Sequence, residues 1–364
     1  MEMRKVQETA SGSFFITLPK SWVNKVGIEK GEDLVISYDE NGGLKLNPFK
    51  HQERYYNEFI IQIEDYPEAS SLRRCINSSY VQGSDIIIIL SKKTITIDKK
   101  SIVKKTTSNL IGTEISEEFS NRITIRILVD PVKFPLASLI KRIYTLVFSM
   151  HVDAIKGFKE NDEILAKDVI NREAEVDKLF FLMLRQLNLS LTGRLNLSEI
   201  CESDMKIDCV LGILLARDLS KMAHYAAEIA QKAMKLSNKK INVELKEDLI
   251  KMSRFIVKMQ QNAILAFFKN DFMRANKILD SAPQLEDFYL KIKNEVLKKV
   301  DDIDTIISLI SISRNLMNIA SSAIEASQDL QAKHRPKIIS KKEISSEELL
   351  EPIELIKSLG YERE

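Results

Sequence analysis

The chain of 364 residues has few cysteines and no long apolar run. Its three cysteines, Cys75, Cys201 and Cys209, form no CxxC pair, and three thiols without a signal peptide indicate a reducing cytoplasm. The longest apolar runs, Ile86 to Leu90 and Val210 to Ala216, are far shorter than the roughly 20 residues that span a bilayer. We therefore expect a cytoplasmic protein that is not embedded in a membrane.

An excess of charge and the common catalytic motifs are missing too. The formal net charge is +2, which excludes a polybasic coat. No G-x-x-x-x-G-K-[ST], G-x-G-x-x-G, H-E-x-x-H or G-x-S-x-G motif occurs, and the four histidines are scattered at positions 51, 151, 224 and 334. We therefore expect neither an enzyme nor a cofactor, and the length suggests two to three domains.

The first 48 residues predict β-segments on either side of one short helix. A β-run from Phe14 to Leu18 stops at Pro19, and Lys20 to Val26 then gives about two helical turns. Asp33 to Tyr38 alternates apolar and polar residues, and a glycine-containing turn at 41–43 makes a hairpin. Fewer than about 50 residues provide too little core for independent folding, so we expect a second copy to complete this domain.

Residues 4–48 resemble the AbrB-type swapped-hairpin DNA-binding domain, in which two chains interlace their strands into one barrel. The matching features are the basic Arg4-Lys5 start, the TLPKSWV segment around Pro19, the GIEKGEDL turn with Gly27 and Gly31, and the final hairpin. In that family, basic and small polar residues on the first β-segment and at the helix start face DNA, where they contact phosphates. The resemblance implies that the DNA-binding residues here are Arg4, Lys5, Ser11, Ser13, Lys20 and Ser21. The alternative is that these are solvated turn residues.

Residues 51–135 alternate predicted strands and helices, which indicates a small α/β domain. The predicted strands are Phe59 to Ile63, Asp85 to Leu90, Thr94 to Ile97 and Arg122 to Val129, and the predicted helices are Ala69 to Val81 and Lys99 to Leu110. Lysine pairs at 92–93, 99–100 and 104–105 could extend a DNA surface. A solvated helix face that guards a sheet edge is the favoured interpretation.

From Leu136 to about Gln331 the composition predicts helices throughout, and the sequence repeats within that region. A shift of about 109 residues pairs Phe158 with Phe267 and Asp162 with Asp271. Since each Asp lies at a junction between two helices, we expect its side chain to cap the next helix.

A third helix follows each pair, at Met205 to Lys235 and at Asp304 to Gln331, which predicts tandem three-helix bundles. This half resembles PhoU, the phosphate-uptake regulator, over roughly residues 140–331. The best matches are Phe158 to Asp162 and Val176 to Leu179. Together with the N-terminal domain, the chain resembles the AbrB–PhoU fusions of archaea, in which an α/β insert carries a segment similar to Tyr80 to Ile87.

The chain departs from the PhoU pattern on the third helix of each bundle. There the resemblance implies carboxylates at i and i+4 that hold a metal cluster. In the first copy Ser220 and His224 replace both acids, and in the second Met317 and Ser321 do. We therefore expect no bound metal. For His224, a solvated or core-edge position is favoured over a role as a metal ligand. The remaining weak metal candidates are His224, Asp218 and Glu228.

These observations predict four regions and a regulatory function. The regions are an AbrB-like domain at 1–48, an α/β domain at 51–135, a PhoU-like double bundle at 136–331, and a polar tail at 332–364. The tail contains a brief amphipathic stretch from Glu347 to Leu359, and we expect it to be mobile or weakly docked.

The predicted function is that of a dimeric regulator of phosphate uptake that binds DNA through its N-terminal domain. Because arginine clusters are absent, we expect the bundles to report phosphate status through a protein partner, which the resemblance implies is a phosphate transporter or signalling protein. The first alternative is an adaptor that binds no DNA and uses the barrel only to dimerise. The second is a metal-dependent enzyme in the bundle.

Overall fold

The computed structural model describes residues 3–38, 43–48, 56–201 and 206–333. The chain divides into two compact units, Met1–Asn57 and Glu58–Glu364. Within the described ranges, no helix is both long and apolar enough to cross a membrane. The predicted turn residues Asn41 and Gly42 and most of the predicted tail lie outside the described residues.

Two antiparallel hairpins and one short helix form the N-terminal unit. The strands are β1 (Gln7–Glu8), β2 (Phe14–Phe15), β3 (Leu34–Tyr38) and β4 (Leu44–Pro48), paired β1 with β2 and β3 with β4. Helix α1 (Lys20–Val26) begins after Pro19 and ends at Gly27, whose φ of 64° a glycine adopts without strain. The predicted helix and second hairpin are confirmed. Strand β2 is shorter than predicted because β1 offers only two residues to pair with it.

Residues 58–127 form a mixed four-stranded sheet with two helices. The strands are β5 (Glu58–Gln62), β6 (Ile86–Leu90), β7 (Thr113–Glu118) and β8 (Arg122–Ile127), in the order β5-β6-β8-β7. Helix α2 (Ala69–Val81) is the crossover between the parallel strands β5 and β6, and α3 (Ile97–Ser108) follows β6. The other two strand pairs are antiparallel. Isoleucines of β5, β6 and β8 form the core of this domain with α2.

One predicted strand of this domain is wrong and one strand was missed. Thr94 to Ile97 is not a strand, since Thr96 caps α3 by accepting a hydrogen bond from the Lys99 amide at 3.4 Å. Four alternating residues are a weak signal for a strand, and the local capping interaction prevails over it here. Strand β7 was missed because Ile115 is its only large apolar residue, as an edge strand allows.

The first bundle contains three long helices and one short one. They are α4 (Leu136–Glu160), α5 (Glu163–Leu191), α6 (Leu197–Ile200) and α7 (Lys206–Leu236). The second bundle contains α8 (Val243–Lys269), α9 (Phe272–Leu279), α10 (Ala282–Lys299) and α11 (Ile303–Gln331). The predicted third helices are thereby confirmed to within one residue at each end.

The predicted capping residues are confirmed at both helix junctions. The Asp162 carboxylate accepts hydrogen bonds from the amides of Ile164 and Leu165, both at 3.0 Å. The Asp271 carboxylate accepts one from the Arg274 amide at 2.9 Å. The residue before each Asp is a left-handed asparagine, and these are Asn161 and Asn270, with φ of 57° and 51°. The repeat therefore preserves the backbone geometry of the turn.

A single apolar core runs through both bundles, and a buried polar pair crosses it. His151 of α4 is fully buried, and its Nδ1 lies 2.7 Å from Oε1 of Gln260, which is 109 residues away on α8. Its Nε2 lies 3.1 Å from the Ser253 hydroxyl. Burial lowers the pKa of His151 to about 4. The histidine is therefore neutral at pH 7 and links the two bundles by hydrogen bonds.

The expectation of three free thiols is wrong. Cys201, which follows α6, and Cys209 of α7 form a disulfide with their Cα atoms 6.0 Å apart. The remaining thiol, Cys75, is half-buried. A separation of eight residues without a CxxC motif gave no sign of this pairing, and the cysteines no longer support a reducing compartment.

Candidate nucleic-acid interface

A hydroxyl-rich turn joins the first two strands of the N-terminal unit. The Thr9 hydroxyl accepts a hydrogen bond from the Ser13 amide at 3.1 Å and lies 2.9 Å from the Ser11 hydroxyl. Gly12 adopts φ of 83° within this turn. Both predicted serines are therefore held around Thr9, which the sequence-based prediction overlooked although a Thr before a Ser-Gly-Ser run is a common source of side-chain turns.

Basic and hydroxyl side chains begin the helix and precede the first strand. Lys20 and Ser21 lie in the first turn of α1, where backbone amides lack partners within the helix. Arg4 and Lys5 precede β1. All six predicted DNA-binding residues are exposed. Exposed cations near the amides of a helix N-terminus provide groups that can bind phosphate.

Large apolar side chains are uncovered in the same unit. None of the N-terminal residues whose burial the structure describes is buried, and Phe14 and Leu44 are 72% and 61% exposed. A groove of about 620 Å³ is lined mainly by apolar residues, which include Val6, Ile16, Leu18, Trp22, Leu44 and Leu46. A single copy of this unit therefore lacks a core, as the sequence predicts.

On the first bundle, His224 lies between two carboxylates at an exposed face. Its Nδ1 is 2.8 Å from Oε1 of Glu173 on α5, and its Nε2 is 3.6 Å from Oε1 of Glu228. Nearby, burial and the adjacent Glu173 raise the pKa of the Asp177 carboxyl, whereas a hydrogen bond from the Ser220 hydroxyl opposes that rise. This face is a network of hydrogen bonds and ion pairs.

Asp218, another weak metal candidate, has different partners. Its side chain is fully buried, and Oδ1 accepts hydrogen bonds from Arg217 at 3.1 Å and from Lys221 at 3.2 Å. Lys221 also bonds Glu325 of α11 at 2.9 Å, so this cluster joins the third helices of the two bundles. Burial raises the pKa of Asp218 although both cations favour its ionised form.

These donor sets do not fit the metal cluster that the PhoU resemblance implies. Both ring nitrogens of His224 already lie beside carboxylates, and Ser220 is bonded to Asp177. The second bundle offers Met317 and Ser321 at the corresponding positions. Throughout the part of the chain that the structure describes, no group of three or more His, Cys, Asp or Glu residues is arranged to hold a metal ion.

A buried arginine joins the α/β domain to the first bundle, and the sequence gave no sign of it. Arg185 of α5 is 3% exposed and donates to the carbonyl oxygens of Tyr80 at 2.7 Å and Ser84 at 2.8 Å. Arg194 bonds the Gly83 carbonyl and the Asp85 carboxylate of the same loop. The Tyr80 to Ile87 segment, noted for its resemblance, therefore attaches its domain to the bundle.

Family comparisons identify two parts of the chain. Residues 7–53 match the family described as antidote-toxin recognition MazE, bacterial antitoxin. Residues 140–233 and 249–330 match the PhoU domain. No curated protein matches the chain.

Solved structures similar to this chain include two PhoU proteins. PhoU from Pseudomonas aeruginosa is 16% identical with a TM-score of 0.48, over 54% of this chain and 93% of that chain. The phosphate transport system regulatory protein PhoU from Streptococcus pneumoniae is 17% identical with a TM-score of 0.48, over 57% and 96%. From the family matches, this chain carries a MazE/AbrB-like domain at its N-terminus and a PhoU domain in its C-terminal part.

Proposed function

We propose that this protein is a cytoplasmic, dimeric transcription regulator of phosphate uptake and phosphate homeostasis. Its N-terminal unit binds operator DNA, and its PhoU part responds to a protein partner, either a phosphate transporter or a signalling protein. The family matches support a regulator of phosphate homeostasis, and DNA binding is the finer claim made here.

The absence of buried side chains among the described N-terminal residues is the observation that carries the proposal. Within residues 1–48, eight large apolar side chains are more than 40% exposed. They are Met3, Val6, Phe14, Phe15, Ile16, Val35, Ile36 and Leu44. Covering them with a second copy supplies the missing core and places two sets of the basic and hydroxyl residues on one particle. Two sets per dimer match the two half-sites of a palindromic operator.

The dimer is tested by removing residues 1–48. Sedimentation of the shortened chain is expected to show loss of tight dimerisation, and the shortened chain is expected to lose DNA binding with it. A shortened chain that dimerises as tightly as the full chain would show that the C-terminal unit holds the subunits together.

DNA binding is tested by fluorescence anisotropy of the full chain at several salt concentrations. Arg4→Ala and Lys20→Ala are expected to weaken binding on all sequences, and each is expected to reduce the salt slope by about 0.9 for every phosphate that it no longer neutralises. Lys30→Ala is the matched control, since Lys30 is exposed in the same unit but lies outside the predicted interface. Unchanged affinity in both test variants favours the alternative function.

That alternative is an adaptor whose N-terminal unit only dimerises the PhoU part. One observation favours it, because residues 1–48 contain slightly more acidic than basic side chains. A DNA surface therefore depends on how the cations are arranged and not on an excess of charge. The two functions differ in the anisotropy result, whereas both predict loss of the dimer on truncation.

A further inference from the structure

The two edges of the four-stranded sheet differ in how they are protected. Strand β7 forms one edge, and its pairing with β8 is interrupted by a bulge between Ile115 and Glu117. The same strand carries glutamates at positions 114, 117 and 118. Bulges and charged side chains keep an exposed edge from pairing with another strand. The β7 edge is therefore protected against such pairing.

Strand β5 forms the other edge and has none of this protection. It pairs with β6 in an unbroken parallel register, and its sequence EFIIQ contains no proline, glycine or lysine. Among the described residues, none forms a backbone hydrogen bond to its outer side. Ile60 at its centre is 56% exposed, and Phe59 is half-buried. Such an edge offers a row of amide and carbonyl groups to a further strand.

The sequence of β5 is complementary to itself when two copies run antiparallel. A two-fold axis at Ile60 places this residue opposite its own copy, Phe59 opposite Ile61, and Glu58 opposite Gln62. Large apolar side chains then meet on both faces of the sheet, and each carboxylate lies opposite an amide that can donate to it. No two like charges face each other in this register.

The N-terminal unit brings a second β5 close. Nine residues, 49–57, separate β4 from β5, so each β5 begins within roughly 36 Å of the end of its β4. In the dimer of the proposed function, the two β5 strands are tethered to one particle, and each meets the other at an effective concentration on the order of millimolar. Strands of five residues pair weakly on their own, so the tether is needed.

We propose that β5 is the site at which a second copy of this chain adds its own β5, antiparallel and centred on Ile60. The pair joins the two four-stranded sheets of the dimer into one. This inference rests on the dimer of the proposed function and does not depend on DNA binding. Since Arg185 and Arg194 attach each α/β domain to its first bundle, the pairing also holds the two first bundles in a fixed relation.

Disulfide cross-linking of the full chain tests the pairing. Opposite residues of an antiparallel pair have Cα atoms roughly 4.5–5.5 Å apart, which a disulfide can span. Under mild oxidation, Ile60→Cys is expected to link more than about half of the chains into covalent dimers. Mass spectrometry of the cysteine peptides separates this link from the native disulfide and from Cys75.

The opposite edge of the sheet provides the matched control. Glu114 is exposed on the same face of the sheet as Ile60 but lies on β7. Glu114→Cys is expected to give at least about tenfold less covalent dimer, because the protected edge meets no second strand.

Two further variants test the register. Chains with Glu58→Cys and chains with Gln62→Cys, co-expressed with different tags, are expected to cross-link to each other and not to their own kind. Adding Ile60→Lys to both is expected to reduce this cross-link about tenfold, because two like charges then lie opposite each other at the centre of the pair. Circular dichroism checks that the substituted chains are folded.

Sedimentation separates failure of this inference from failure of the proposed function. A full-length dimer in which Ile60→Cys cross-links no better than Glu114→Cys would overturn the β5 pairing and leave the N-terminal dimer standing. Cross-linking of Glu58→Cys to its own kind would overturn the antiparallel register. A monomeric chain without cross-links would contradict both the dimer and the pairing. A cross-linked dimer that binds no DNA would support the pairing and contradict the transcription regulator.

Discussion

The two bundles share their turns and differ in the surfaces beside them. Both junctions between the first two helices use a left-handed asparagine followed by a capping aspartate. Beyond that turn, α5 runs unbroken for 29 residues, whereas the second copy stops at Leu279 and restarts at Ala282, next to Pro283. The repeat therefore keeps the backbone geometry of the turn, while its exposed faces have diverged.

The two bundles therefore differ in the side chains that bridge their neighbouring helices. In the first bundle, Arg172 of α5 pairs with Asp153 of α4, and His224 of α7 lies beside Glu173 of α5. In the second bundle, Arg274 of α9 bonds Asn262 of α8 at 2.6 Å and Asp271 at 3.1 Å, and the exposed Lys258 and Lys277 lie on the same surface. The first bundle also attaches the α/β domain, through Arg185.

The largest change in stability is expected from His151, which lies where the two bundles meet. The folded state lowers its pKa from 6.5 to about 4, so the unfolded chain binds the proton first as the pH falls. The free energy of unfolding is therefore expected to fall between about pH 6.5 and pH 4, by about 3 kcal/mol in total. His151→Gln is expected to remove this component, which urea unfolding near pH 7.5 and near pH 4.5 measures.

His224 provides the control for that experiment. It is 56% exposed and lies beside carboxylates, so His224→Gln is expected to keep the fall seen in the unsubstituted chain. A His151→Gln variant whose stability falls as steeply as that of the unsubstituted chain would show that the buried histidine does not set this pH dependence.

A smaller effect is expected from the side chain that bridges α4 and α5 in the first bundle. Arg172→Ala removes its ion pairs with Asp153 and Asp168 and its hydrogen bond to Ser149, and we expect the free energy of unfolding to fall by about 1–2 kcal/mol. Ser281→Ala, at the corresponding position of the second bundle, is expected to cost less than about 0.5 kcal/mol. Denaturant unfolding of both variants measures the difference, and equal costs would show that the contacts of Arg172 add no net stability to the first bundle.

The shared turns should respond alike in both bundles. Asn161→Ala and Asn270→Ala each place a side chain with a Cβ and no local hydrogen bond at positive φ, which costs about 1 kcal/mol. Asn161→Gly and Asn270→Gly are the controls, because glycine adopts this conformation freely and is expected to change stability little. Thermal unfolding tests this, and a cost confined to one bundle would show that the two turns are not equivalent.

The sequence predicted those parts of the fold that depend on neighbouring residues. Pro19 and Gly27 bound α1 as expected, and Asp162 caps α5, because these effects act within one helical turn. Strand β7 was missed since an edge strand needs few apolar residues, and the predicted strand at Thr94 failed because Thr96 caps a helix. Helix caps can therefore be predicted from neighbouring residues. The sequence alone does not decide whether a short alternating segment forms a strand or caps a helix.

The contacts that position the candidate sites could not be predicted from the sequence, and the reason is a different one. Arg185 bonds a carbonyl 105 residues away, and His151 meets its partner 109 residues away. The Cys201–Cys209 disulfide is closer in sequence but depends on how α6 meets α7. Such pairings follow from the packing of helices, which no single sequence reveals. The six DNA-binding residues came from resemblance, and their role stays a prediction.

The smallest change in stability is expected from metal removal, which tests both bundles at once. Ser220 and His224 in one copy and Met317 and Ser321 in the other replace the paired carboxylates at the two motif positions, and the Glu325–Asp329 pair lies elsewhere on α11. The cores are apolar, so protein purified without added metal is expected to be folded. A chelator is expected to leave its melting temperature unchanged within error.

The double substitution Ser220→Glu with His224→Asp is the control, because it restores hard oxygen ligands beside Glu173 and Asp177. Elemental analysis that finds a stoichiometric metal in the unsubstituted protein, with a lower melting temperature after chelation, would return His224 and Glu228 to consideration as ligands.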